Sequence, residues 1–201
     1  MTEKSLIENF SLPNWGIVKT SLPKTLHKKL LKESLNLKNK SNWSSGLSHD
    51  YPNVVHHYHF DKHLKEIEEV IGKAVVFYEK QYPEYLKKFK LFDVSLPLVF
   101  QKPWINHQKE HQYIPIHTHD GVLSYNIWLK IPVESIFEFS YSTITGENMR
   151  HRLKLTRKDE GSLILFPSLL DHMVYPFQNS KKIRVGISGN ILLKAGVKNE
   201  S

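Results

Sequence analysis

Two histidines separated by a single residue, His117-Thr118-His119, followed by Asp120 and Gly121, are the first side chains here whose type and spacing could do chemistry. On an extended strand, residues two apart share a face, so both imidazoles can address one ion while Thr118 faces away. Imidazoles converging in this way suit a first-row transition metal. A third donor has to come from far along the chain, and His172 is the candidate. The β-rich run Gly161-Ser-Leu-Ile-Leu-Phe-Pro167 stops at a proline, and His172 opens the extended segment that follows. Arg184 lies on the next run, Arg184-Val-Gly-Ile-Ser-Gly-Asn190. A fixed cation after the last donor is placed to pair with the carboxylate of a bound ligand.

A facial site for divalent iron needs three ligands on one side, with the remaining positions open. Three residues compete to be the second ligand. His119 has the two-residue spacing and gives a three-histidine face. Asp120 offers a carboxylate but needs a bulge or turn before Gly121 to swing inward. A distant glutamate folding in is the third choice. Along Ser124-Tyr-Asn-Ile-Trp128, Ser124, Asn126 and Trp128 share one face. If that face is interior, Asn126 can hydrogen-bond a bound ligand, because a buried amide requires a partner. If it is exterior, Tyr125, Ile127 and Leu129 form the core instead. Ser188 shares the strand face of Arg184 and could help it hold a carboxylate. Trp104, Asn106 and Gln108 precede the histidine motif on a neighbouring strand, where they can meet a ligand or, for Trp104, pack in the core.

These side chains need a scaffold that brings distant segments together. Ser21-Leu22-Pro23 reads as a helix start capped by Ser21, with Leu22, Leu26 and Leu30 on one face and lysines on another to about Asn36. Residues 38–52 read as a loop anchored by Trp43 and Leu47. Asp61 reads as the cap of a second helix carrying Leu64, Ile67, Ile71, Ala74 and Tyr78, ended by Pro83. His56, His57, His59 and His63 then fall among surface or capping groups. After Pro83 and a polar stretch the period changes, and strands are expected over 92–100, 105–112, 122–131, 136–144, 149–156, 162–166, 172–175 and 183–192. The expected fold is α+β and mainly β: a double-stranded β-helix, or jelly-roll barrel, with N-terminal helices packed on one sheet. Residues 1–90 form the helical extension and 91–201 the catalytic core, within one structural domain.

In these residues, taken in order from Leu96 to Leu192, the chain resembles the iron(II)/2-oxoglutarate-dependent oxygenases, and among them the prolyl-hydroxylase-like proteins of phage genomes. The resemblance runs through Trp104-Ile-Asn-His-Gln108, the His-Thr-His-Asp-Gly block, Leu163-Ile-Leu-Phe-Pro167, His172-Met-Val-Tyr-Pro-Phe177 and Arg184-Val-Gly-Ile-Ser-Gly-Asn190. More loosely, Trp43-Ser-Ser-Gly-Leu-Ser-His-Asp-Tyr51 is similar to the same proteins. The family pattern is His-x-Asp/Glu followed by a distant histidine, and this chain departs from it by placing His119 at the second position. The resemblance implies iron(II) held by His117, His172 and a second ligand, for which His119 leads and Asp120 stays open, and 2-oxoglutarate bound through its 2-oxo acid end with Arg184 on the far carboxylate. It also implies dioxygen-dependent hydroxylation of an unactivated C–H bond with release of succinate, supported in vitro by ascorbate. By analogy the prime substrate is a prolyl residue of a peptide or protein.

With 201 residues, 40% of them apolar and 11% aromatic, the chain is long enough for a full core. There is no cysteine, so donors are limited to histidine and carboxylate. No apolar run approaches the roughly 20 residues of a membrane span, which leads us to expect a cytoplasmic protein (host cytoplasm if phage-encoded) with no membrane partner. A net charge of +8 permits a nucleic-acid partner without specifying one. Two rival readings stand beside the oxygenase: a cupin-like three-histidine metalloenzyme that does not use 2-oxoglutarate, and a basic binding module with a degenerate metal site.

Overall fold

The computed structural model describes residues 15–36, 42–43 (backbone only), 55–89 and 97–194. The expected loop over 38–52, the similar stretch Trp43–Tyr51 and the beginning of the strand over 92–100 therefore lie outside the described residues, apart from the backbone of 42–43.

The alternation along the strands builds two sheets that face each other. Twelve strands are described: β1 (Val18–Ser21), β2 (Asn42–Trp43), β3 (His56–His59), β4 (Leu98–Phe100), β5 (Trp104–Gln108), β6 (Ile114–His117), β7 (Leu123–Lys130), β8 (Ser135–Ser142), β9 (Asn148–Leu155), β10 (Ser162–Pro167), β11 (Asp171–Val174) and β12 (Arg184–Leu193). The larger sheet runs β1-β10-β7-β12-β5-β3-β2, with β4 also paired to β12; the smaller runs β6-β11-β8-β9. All pairings are antiparallel. This is the double-stranded β-helix anticipated from the strand pattern.

The larger sheet is buried on both faces. Outward, Tyr125, Ile127 and Leu129 of β7, Leu163 and Leu165 of β10, and Val185 and Ile187 of β12 pack against the apolar stripes of α1 (Lys24–Leu35) and α2 (Leu64–Gln81). Leu26 and Leu30 contribute from α1, and Ile67, Ile71, Ala74 and Tyr78 from α2. Each aliphatic side chain so buried contributes about 1.5–3 kcal/mol. Inward, Trp128, Ile164 and Phe166 meet Phe137, Phe139 and Val174 of the smaller sheet. The choice between an interior Asn126 and a core of Tyr125, Ile127 and Leu129 is therefore not exclusive, since helices cover the second face.

Several helix and strand ends differ from expectation. Ser21 closes β1 opposite Ser162 rather than capping α1, and Pro23 occupies the cap position without a side-chain bond. Asp61 is exposed; His63, in the left-handed region at φ 55°, precedes α2, with its Nδ1 3.1 Å from Glu66 Oε1. Pro83 ends α2 but also opens α3 (Pro83–Lys87), whose buried Tyr85 donates to the Val122 carbonyl at 2.6 Å. The N-terminal region supplies strands as well as helices, because β3 pairs in register with β5. The expected strand over 105–112 stops at Gln108; a turn with His111 at φ 64° then leads into β6.

Candidate metal and co-substrate site

β6 and β11 are neighbours, and their register sets His117 directly opposite His172. β6 ends at His117, so His119 is not on the strand as its spacing suggested. It sits two residues beyond, held by its backbone N–H to the Ser168 carbonyl at 2.8 Å. Gly121 then turns the chain into β7 at φ 107°, where a Cβ would come within 2.7 Å of the Ile191 carbonyl oxygen, so glycine is required there. The three rings nevertheless converge. Their centroids are 4.2 Å apart for His117 and His172, and 4.9 Å for each of the other two pairs. One ring nitrogen from each lies within 4.8 Å of the others, and the group includes no carboxylate. Asp120 is exposed and outside it.

Hydrogen bonds orient two of the rings. His117 Nδ1 donates to the Pro115 carbonyl at 2.7 Å and His172 Nδ1 to the Leu170 carbonyl at 2.8 Å, which places each Nδ1 proton outward and leaves Nε2 as the lone-pair donor. His172 Nε2 lies 3.2 Å from His119 Nε2. His172 is 3% exposed and stacks on Phe137 at 5.6 Å, with Phe166 edge-on at 4.9 Å. Burial, with the neighbouring imidazoles, holds His172 well below the usual histidine range and brings His119 down to about 4. Burial also lowers His117, opposed by the Pro115 carbonyl and Asp171. All three are therefore neutral at pH 7, the form that ligates a metal. Neutral, pre-oriented imidazoles without a thiolate fit iron(II).

The cluster opens into a cavity of about 360 Å³ between the sheets, within the range of small-ligand sites. Asn126, Trp128, Ser188, Arg184, Trp104 and Asn106 all line it. Arg184 is 7% exposed and donates from Nη1 to Ser135 Oγ at 2.9 Å, and no carboxylate pairs with it among the described residues. Burial pushes the guanidinium down to about 9, so it stays charged at neutral pH. Opposite it in register on β5, Gln108 leaves a buried Oε1 without a hydrogen-bond partner. An uncompensated buried cation of this kind fits a ligand that brings its own carboxylate.

Ser188 Oγ donates to Asn126 Oδ1 at 2.8 Å, which leaves the Asn126 amide N–H groups directed at the cavity. Sequence reasoning missed His57. It is buried on β3 and lines the same cavity, and its sequence neighbourhood carries no strand signal apart from the pairing with β5. On β9, Arg152 and Arg150 reach the buried Glu138 at 2.6 and 3.8 Å.

Residues 102–190, which carry most of the strands lining the cavity and make up less than half of the chain, match the family model described as "Putative 2OG-Fe(II) oxygenase". Over that span the chain is similar to the iron(II)/2-oxoglutarate oxygenases. No curated protein matches the sequence. Solved structures share the oxygenase fold at low identity. A prolyl-4-hydroxylase from Pseudomonas putida has a TM-score of 0.59 at 13% identity, over 90% of this chain and 94% of its own. A prolyl hydroxylase from Trichoplax adhaerens, solved with a peptide fragment of the hypoxia-inducible factor oxygen degradation domain, has 0.57 at 12%, over 89% and 84%. HygX from Streptomyces hygroscopicus, with nickel, 2-oxoglutarate and hygromycin B bound, has 0.53 at 9%, over 90% and 84%.

Proposed function

We propose that this protein is an iron(II)- and 2-oxoglutarate-dependent dioxygenase that hydroxylates an unactivated C–H bond of a peptide or protein, with a prolyl residue as the favoured target. His117, His119 and His172 would hold iron(II), and Arg184 and Asn126 would hold 2-oxoglutarate, with Ser188 contributing through its hydrogen bond to Asn126. The observation that carries this reading is the buried Arg184, without a carboxylate partner among the described residues, in the cavity that the three imidazoles share. The peptide preference is supported by the prolyl hydroxylases among the fold relatives.

The chain's own groups divide the work. His117 and His172, their Nδ1 protons fixed on backbone carbonyls, present Nε2 lone pairs at one point, and His119 closes the set. Arg184 neutralises one carboxylate of 2-oxoglutarate, and the Asn126 amide donates to the other end. The aromatic wall of Phe137, Phe166 and Trp128 excludes water from that pocket. Iron(II), held by His117, His119 and His172, would supply dioxygen activation, with one oxygen atom going into the new hydroxyl group and the other into succinate as carbon dioxide leaves.

Calorimetric titration of 2-oxoglutarate into anaerobic protein loaded with manganese(II) or iron(II) tests this directly. Metal-dependent binding of one equivalent is expected. The all-imidazole donor set also suits a three-histidine metalloenzyme that does not use 2-oxoglutarate, and metal binding without 2-oxoglutarate binding would favour that reading instead.

A further inference from the structure

A continuous row of polar side chains crosses the cavity face of the larger sheet, one residue from each of four adjacent strands. His57 Nδ1 lies 2.7 Å from Asn106 Oδ1, Asn106 Nδ2 donates to Ser188 Oγ at 2.7 Å, and Ser188 Oγ donates to Asn126 Oδ1 at 2.8 Å. The strand registers produce the row, since His57 pairs with Asn106 across β3 and β5, and Ser188 with Asn126 across β12 and β7. Facing a carbonyl oxygen, His57 Nδ1 must carry the proton. Every bond then runs in one direction, from His57 to Asn126, and the last amide turns its N–H groups into the cavity.

The row can also run in reverse, but only as a unit. If the Asn106 amide turns over, His57 becomes the acceptor and Ser188 donates back to Asn106. Asn126 must then bond Ser188 through its N–H and show the cavity its oxygen. One direction offers a ligand a donor, and the other offers an acceptor. A cavity that holds Arg184 and a metal ion takes an anion, and an anion requires the donor.

We propose that His57, which lies outside the matched residues 102–190, is a positioning residue: through Asn106 and Ser188 it holds the Asn126 N–H toward a carboxylate oxygen of the bound 2-oxo acid. The proposal rests on the 2-oxoglutarate reading above. It makes the N-terminal segment part of co-substrate recognition.

The test is 2-oxoglutarate affinity, by calorimetry on manganese(II)-loaded full-length protein, for wild type, His57→Phe, His57→Gln, Ser188→Ala and the His57→Phe, Ser188→Ala double variant. Manganese(II) affinity is measured in parallel. His57→Phe should weaken 2-oxoglutarate roughly 3- to 10-fold, the size of one lost hydrogen bond, while manganese(II) affinity stays level. His57→Gln, whose side-chain N–H can donate to Asn106, should recover most of the loss. The double variant should be no weaker than the weaker single variant, because both cut one chain. Should His57→Phe not fold, His57→Gln and an Asn106→Ala, Ser188→Ala cycle carry the same decision. Additive losses, a parallel fall in manganese(II) affinity, or unchanged 2-oxoglutarate binding in His57→Phe would overturn the relay. Wild type that binds manganese(II) but no 2-oxoglutarate would overturn the co-substrate reading itself, a result distinct from failure of the relay alone.

Discussion

Replacing Arg184 with methionine should move folding and co-substrate binding in opposite directions. Burial lowers the guanidinium from 12.5 to about 9, a desolvation cost of about 4–5 kcal/mol. The hydrogen bond to Ser135 returns about 1.5–3 kcal/mol of this, as bonds from charged groups do. The ligand-free protein thus carries an uncompensated cation, and a methionine of similar length should leave it unchanged or more stable by up to about 3 kcal/mol. Binding should respond the other way. Losing a buried, charge-assisted partner of a carboxylate costs about 2–5 kcal/mol, roughly a 30- to 5,000-fold loss of 2-oxoglutarate affinity. Manganese(II) affinity should stay level, because Arg184 is not among the clustered donors. Thermal unfolding without ligand and calorimetric titration of the manganese(II)-loaded protein read the two quantities separately. A variant that loses stability yet binds 2-oxoglutarate as wild type does would show that Arg184 is a structural cation and refute the reasoning.

Two further outcomes follow from the histidines. His172→Ala should abolish metal binding and also cost about 1–3 kcal/mol of stability, since His172 is buried against Phe137, Phe139 and Phe166; calorimetric metal titration and urea unfolding measure both, and retained metal affinity would remove His172 from the site. Because His117, His119 and His172 are all lowered in the fold, the unfolded chain takes up protons first, so metal-free stability should fall as the pH drops from about 6.5 toward 4, with His119 alone contributing about 2–3 kcal/mol. Melting temperatures between pH 8 and 4.5 for wild type and His119→Ala check this, and equal slopes in the two proteins below pH 6.5 would contradict it.

Much of this arrangement was legible because it rests on alternation. The period of two along β7 and β12 placed Asn126 with Trp128, and Arg184 with Ser188, on single faces, and those faces line the cavity. His119 joins the cluster for a different reason from the one its spacing suggested. The strand ends at His117, and a backbone bond to Ser168 with the Asp120-Gly121 turn brings the ring back. Such a turn depends on contact with the β10–β11 connection, which local sequence does not encode. His57 was hidden for the same kind of reason, since nothing in a run of histidines marks a strand until β5 supplies its partner. The helix starts were misplaced where capping residues were outcompeted: Ser21 was drawn into the sheet by Ser162, and Asp61 gave way to His63 with its link to Glu66.

The central claim is that three imidazoles and one buried arginine assemble iron(II) with 2-oxoglutarate. Protein incubated aerobically with iron(II), ascorbate and 2-oxoglutarate, with succinate followed by mass spectrometry, tests it most directly, with His117→Ala as the blank. The account predicts slow succinate formation above the blank even without a prime substrate, because uncoupled turnover requires only the assembled site. Folded, iron-loaded protein that binds no 2-oxoglutarate and yields succinate only at the level of the blank would contradict it.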